Sequence, residues 1–163
     1  MGLILAGEVP EIEVLVALAD AFAPPRSVSL AIAFPGEGYY AREMGPGLRR
    51  MFVGLEGLWD PGWLASLKLR SNALEGRWTR EGRRRVNLDP GLVGLAHLVL
   101  ATGKPAAHRV YLGRGIYAEV EYVFEGKTFR PLPWTYPDYR EPEAILFFNG
   151  LRDGHKKLRK EAR

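Results

Sequence analysis

Three side chains in the second half of the chain are suited to moving protons: His108, Glu119 and Asp138. An imidazole titrates near neutral pH, and a carboxyl group can take its proton or orient it, so His108 is the candidate base and Glu119 and Asp138 the candidate acids. Around them stand groups that hold anions and flat rings. Arg83, Arg84, Arg85, Arg109 and Arg114 offer planar donors for phosphate or carboxylate. Tyr111, Tyr117, Trp134, Tyr136 and Tyr139 offer stacking walls, and Asn87 offers orientation. Asp89 is a further acid, weighed first as a helix cap. The expected ligand is small and anionic, phosphorylated or nucleotide-like, and the expected chemistry is acid–base. No HExxH or HxxxH pair, Ser/His/Asp order or glycine-rich phosphate loop narrows it further, and the dinucleotide and Walker devices are excluded.

The elements that must position these groups begin with a hairpin. With Gly113-Arg114-Gly115 as a three-residue loop, Leu112 pairs with Ile116, Tyr111 with Tyr117, Val110 with Ala118, Arg109 with Glu119 and His108 with Val120. Val110, Leu112, Ile116, Ala118, Val120, Tyr122 and Phe124 then form an apolar face that packs on helices. Arg109, Tyr111, Tyr117, Glu119 and Glu121 form a polar, aromatic face suited to a ligand. Gly126 turns a second hairpin into an edge strand over 128–132, where Pro131 cannot donate to a ladder. Residues 134–139 follow as a proline-framed aromatic loop, and a last helix begins at Pro142 with Ile145, Phe148, Leu151 and Leu158 inward.

Upstream, the pattern predicts a strand over 3–7, a helix over 10–22 and a strand over 27–34, a β-α-β opening. Residues 35–47 read as a glycine- and proline-rich loop, and 48–55 as a strand. Asp60-Pro61-Gly62 and Asp89-Pro90-Gly91 repeat one device, an Asp cap before a Pro at the first helical position. The first predicts a helix to about Trp78 with Leu64, Leu67, Leu74 and Trp78 inward. The second predicts a buried helix over 92–101 with His97 inside it. The fold class is α+β: a single two-layer domain over 1–151 with a mixed, mainly antiparallel sheet, ferredoxin-like in its simplest arrangement, with an added C-terminal hairpin and helix. Residues 152–163 are a basic helix end or tail.

Composition limits the functions available. A chain of 163 residues that is 47% hydrophobic can bury a core unaided. With no cysteine there is no disulfide framework, thiolate nucleophile or Cys-ligated metal, and no metal site is predicted from the His and carboxylate residues. The apolar run at 3–6 has no basic region before it and acidic residues after it, so neither a signal peptide nor a membrane partner is expected, and the expected location is cytoplasmic. The net charge of +4 is local. Six of the 23 basic and two of the 19 acidic residues lie in 152–163, leaving 17 of each elsewhere. A neutral body argues against nucleic acid as the leading partner.

Gly82-Arg83-Arg84-Arg85-Val86-Asn87-Leu88-Asp89-Pro90-Gly91, the run from His108 to Val120, the run from Pro131 to Arg140, and Glu43-Met44-Gly45-Pro46-Gly47-Leu48 together resemble the prokaryotic family termed domain of unknown function 4416. The resemblance covers nearly the full length. It implies no reaction or cofactor. The chain departs from it at Gly36-Glu37-Gly38, where relatives carry an aromatic and a Thr, and at Ala106-Ala107, where they carry a more polar pair. Two rival readings stand beside the ligand site: an RNA-binding module that stacks bases on the hairpin, and a protein-interaction module.

Overall fold

The structure is a computed structural model that describes residues 1–34 and 37–161. Pro35 and Gly36, read above as part of a turn, and Arg163, counted in the basic tail, lie outside these. The fold is α+β, with four α-helices and two antiparallel sheets among the described residues. The chain forms two compact units: Met1–Gly57 with Leu69–Asp89, and Leu58–Lys68 with Pro90–Arg163.

The first unit carries β1 (Gly2–Leu5), α1 (Glu11–Ala21), β2 (Pro25–Val28), β3 (Ile32–Ala33), α2 (Glu37–Met44), β4 (Arg49–Leu55), the C-terminal half of α3 (Leu64–Glu75) and β5 (Val86–Asp89). Its strands run in the order β2-β4-β1-β5, every pairing antiparallel, and β3 shares with β2 the same partner, β4. With β2 and β3 counted as one interrupted edge strand, this is the strand order of the ferredoxin-like arrangement. The core forms where Leu3 and Leu5 of β1, Met51 and Val53 of β4, and Val86 and Leu88 of β5 meet Val14, Ala17 and Leu18 of α1 and Leu74 of α3.

Two expectations for this unit change. The strand predicted over 27–34 is broken, because Ser29 leaves the alternation: its backbone N–H donates to Phe52 O and its hydroxyl accepts from Phe52 N. Val28, Leu30 and Ile32 are consequently exposed. The predicted loop over 35–47 contains α2. Tyr40 and Met44 stand four apart on that helix, Met44 is fully buried, and Gly45 at φ +92° closes the end by donating to Ala41 O.

The second unit holds β6 (Gly91–Val93), β7 (His97–Thr102), β8 (Val110–Gly113), β9 (Ile116–Glu125), β10 (Thr128–Pro131) and α4 (Pro142–Glu161). The order is β10-β9-β7-β6, and β8 lies beside β10 along the same edge of β9. The helix predicted over 92–101 is therefore a hairpin. A short run that is apolar on every side does not separate helix from strand by periodicity. Gly91 decides it: it pairs with Leu100 so closely that an added Cβ would stand 2.8 Å from Val99 O. Gly94 donates to His97 O at the turn, and His97 is exposed rather than buried in a helix. Asp89 caps nothing; it lies in β5 and accepts from Asn87 at 2.6 Å. The Asp60 cap does form, accepting from Gly62 N at 2.8 Å.

Candidate functional site

The site is built on β9, the ten-residue strand at the centre of the second sheet. Against β7, Leu98 pairs with Tyr122 and Val99 with Val120, so Glu121 is an extra residue with no partner across the ladder. Such a bulge bends the strand and re-aims its side chains. Glu121 and Tyr122, neighbours that strict alternation would place on opposite faces, are both fully buried. Carbonyls beside the bulge take partners from residues 132–140. Trp134 Nε1 donates to Val120 O at 2.8 Å, and Thr135 Oγ1 donates to Glu121 O at 2.5 Å. Tyr136 N donates to Glu121 Oε2 at 3.2 Å. The segment is clamped on itself as well: Arg140 donates to Thr135 O and Pro133 O at 2.8 and 2.7 Å. The Tyr122 hydroxyl donates to Tyr139 O in the same buried cluster, where the Tyr122, Tyr139 and Phe148 rings meet.

This arrangement brings together the candidate base and both candidate acids. Glu119, 1% exposed, accepts from His108 Nε2 at 3.0 Å and from Arg109 Nε at 2.7 Å. A carboxylate can only accept, so the hydrogen of this bond is assigned to Nε2. Nδ1 has no hydrogen-bond partner among the described residues, and the His108 side chain is 26% exposed. The Trp134 indole stacks on the imidazole, with centroids 5.1 Å apart and planes 14° apart, which fixes the ring. Arg109 also donates to Lys104 O and to the Tyr136 hydroxyl, both at 2.8 Å. Burial acts to lower the Arg109 pKa, but Glu119 and Tyr136 outweigh it and hold the guanidinium charged.

Glu121 completes the group. Burial, and then the neighbouring Glu119 and Asp138 charges, push its carboxyl up to about 8, against the smaller opposing effect of the Tyr136 backbone N–H. Its buried Oε1 has no hydrogen-bond partner among the described residues. Asp138 is 3% exposed. It sits in a 3₁₀ turn over Pro137–Tyr139. Glu121 was placed on the polar face by sequence but not among the site residues. The one signal for it was a second Glu two positions from Glu119; the bulge that buries both left no mark in the pattern.

The hairpin loop is shorter than predicted. Val110 pairs with Ala118 and Tyr111 with Tyr117, as expected, but Gly113 rather than Leu112 pairs with Ile116. The turn is the two residues Arg114 (φ +54°) and Gly115 (φ +76°), the positive-φ pair that matches strand twist. The expected apolar face does not pack throughout: Val110 and Leu112 are exposed, while Glu119 and Glu121 from the polar face are buried. The Tyr111 and Tyr117 rings meet at a 54° tilt with centroids 5.2 Å apart, and Tyr111 is exposed. Arg114 donates to Ser66 Oγ at 2.6 Å.

Arg83, Arg84, Arg85 and Asn87 belong to the first unit and to a different network. Arg84 spends its donors on Glu43, Glu75 and Asn87, and its pKa is raised by the hydrogen bond to Glu43 first, then by Glu75. Buried Glu75 also accepts from Leu88 N at 2.7 Å, so this cluster pins β5 to α3. Arg85 donates to Met44 O, and Arg83 is exposed.

Among the described residues, no group of three His, Asp or Glu side chains is arranged to hold a metal ion, and no helix is long and apolar enough to cross a membrane. No curated protein and no solved structure matches the chain. The motifs that frame both clusters, from Glu43 through Arg140, lie within residues 3–155, which match the family model described as Domain of unknown function (DUF4416), and the chain belongs to that family.

Proposed function

We propose that the second unit binds a small anionic ligand, phosphorylated or nucleotide-like, and moves a proton on it through His108. The observation that carries this reading is the imidazole itself: held by Glu119 on one nitrogen, stacked on Trp134, and left with a basic nitrogen that no described residue occupies. A base oriented by a carboxylate that is itself anchored by a third group is the recurring pattern of acid–base sites. Arg109 supplies the anchor and the affinity for an anion, since three of its five N–H bonds are taken among the described residues. Trp134 and Tyr136 supply flat surfaces at the rim, where Trp134 is 40% exposed.

A thermal-shift screen of the purified protein against nucleotides, sugar phosphates and short RNAs tests the reading, because a ligand that binds only the folded state raises the Tm. Stabilisation by a small anion is expected, at least tenfold weaker in affinity for Trp134→Ala and retained in Tyr111→Ala. Stabilisation by RNA alone, with a steep salt dependence, contradicts it in favour of nucleic acid.

A further inference from the structure

We propose that the turn over 80–83, in the first unit, is a docking point for a phosphodiester strand, held by the guanidinium groups of Arg77, Arg80 and Arg83. The inference does not rest on the small-anion reading of the second unit.

Residues 77–85 carry five arginines against one acid, Glu81. The fold divides them. Arg84 is consumed by Glu43, Glu75 and Asn87, and Arg85 by Met44 O, with Glu8 at 3.5 Å from its Nε. Arg77, Arg80 and Arg83 are exposed, and their side chains have no hydrogen-bond or ion-pair partner among the described residues.

The turn presents these three rigidly. Arg80 N donates to Arg83 O at 3.0 Å and Arg83 N to Arg80 O at 2.9 Å, so the two residues form a hydrogen-bonded cross-strand pair. Glu81 and Gly82, at φ +51° and +73°, make the tight turn between them. Both arms are anchored. On one side buried Trp78 donates Nε1 to Glu13 at 2.8 Å, and on the other Arg84 is tied to buried Glu75 at 3.0 Å. Side chains directly opposite in such a pair share a face, with Cβ atoms about 5 Å apart, and like charges there repel. A glutamate at positive φ adds a further cost. Local stability would favour opposite charges at 80 and 83 and glycine or asparagine at 81. A row of phosphates across the tip turns the repulsion into binding, because each guanidinium offers a planar fork to an anionic oxygen pair.

The surroundings narrow the partner. No large apolar side chain of the segment is exposed, since Trp78 is buried, so the segment brings neither the apolar centre of a protein interface nor walls for a small ligand. Separate planar donors standing in water fit an anion repeated along a chain, and they read no base.

Fluorescence anisotropy of labelled single-stranded RNA and DNA of one mixed sequence, titrated with the full chain over a series of low salt concentrations, tests this. With three phosphates engaged, log K is expected to fall with log salt at a slope of about −2, and Arg80→Gln or Arg83→Gln to make it shallower by about 0.7. The variant with Arg77→Gln, Arg80→Gln and Arg83→Gln together is expected to lose at least tenfold in affinity at the lowest salt, with no fall in Tm. Lys156→Gln, Lys157→Gln and Lys160→Gln together, which thin the basic end of α4 instead, are expected to cost less. RNA and DNA are expected to bind alike. No salt-dependent binding by the wild type, a slope that both single variants leave unchanged, a larger loss from the α4 variant than from the tip variant, or a tenfold preference between the two strands each overturns the proposal.

Discussion

Arg109 and Glu119 set the terms at the scale of single residues. Glu119 is buried and Arg109 nearly so, with 10% of its side chain exposed, and a pair of this kind is costly to break because the survivor stays uncompensated. Arg109→Ala is expected to destabilise the fold by about 3 kcal/mol in chemical denaturation, well above the ~1 kcal/mol expected for Tyr136→Phe, which removes one hydroxyl from the same network. The difference is the check: equal effects would mean that the Arg109–Glu119 pair adds no more than the Tyr136 hydroxyl does. His108, Arg109, Glu119 and Asp138 were legible in the sequence because few residue types do acid–base work, and three of the four fall in one hairpin. Glu121 was not, since its burial depends on a single unpaired residue in β9. The arginine run at 83–85 was misleading in the opposite way. Its residue types suit anions, but at Arg84 carboxylates 41 and nine positions upstream occupy the donors, Arg85 donates to Met44 O, and Arg83 alone of the three is exposed.

The elements record where local pattern wins and where tertiary pairing overrides it. The bounds of α1, β4 and α4 fall within a residue or two of the pattern, but α1 buries Val14, Ala17 and Leu18 and exposes Ile12 and Val16, so its apolar spacing does not mark its inner face. The Asp-Pro-Gly device built a helix start at Asp60 and a strand crossing at Asp89, so the local signal was identical and the long-range partner decided. At the second site that partner is β1, which pairs Gly2 with Asp89, and Leu100, which pairs with Gly91. Gly91→Ala is expected to destabilise by on the order of 2 kcal/mol, as overpacking does, because the new methyl meets Val99 O and Leu100. A helix there would instead gain about 1 kcal/mol from the same change, so the sign measured by denaturation discriminates. Arg114 carries a positive φ that glycine or asparagine adopts more easily. Arg114→Asn is expected to stabilise by about 0.5 kcal/mol, net of the exposed hydrogen bond to Ser66, with the hairpin register unchanged in NMR contacts between Tyr111 and Tyr117.

For the whole molecule, the ferredoxin-like strand order emerged from the β-α-β opening, because a helix between strands that do not touch leaves room for β4 between β1 and β2. A second antiparallel sheet did not emerge, since its first hairpin was hidden in an apolar run read as helix. Stability is expected to carry the signature of the one strongly shifted carboxyl in that sheet. Glu121 has a folded pKa raised above its unfolded value, so the protein holds more protons folded than unfolded between about 4.5 and about 8, and stability falls as pH rises across that window. The loss is on the order of a few kcal/mol at most. The buried Met1 amine, lowered to about 5, acts in the opposite direction over pH 5 to 8, so the readout is the difference: midpoints at pH 5, 7 and 9 should fall in the wild type relative to Glu121→Gln.

The arrangement of His108 is the point on which the functional reading turns, and nitrogen-detected NMR of the imidazole measures it directly. The account predicts a slowly exchanging hydrogen on Nε2, a lone pair on Nδ1, and loss of the slow exchange in Glu119→Gln, with exposed His97 as the internal comparison. A hydrogen on Nδ1, or an Nε2 hydrogen that exchanges as fast as that of His97, would contradict it, because His108 would then present no held base to a ligand.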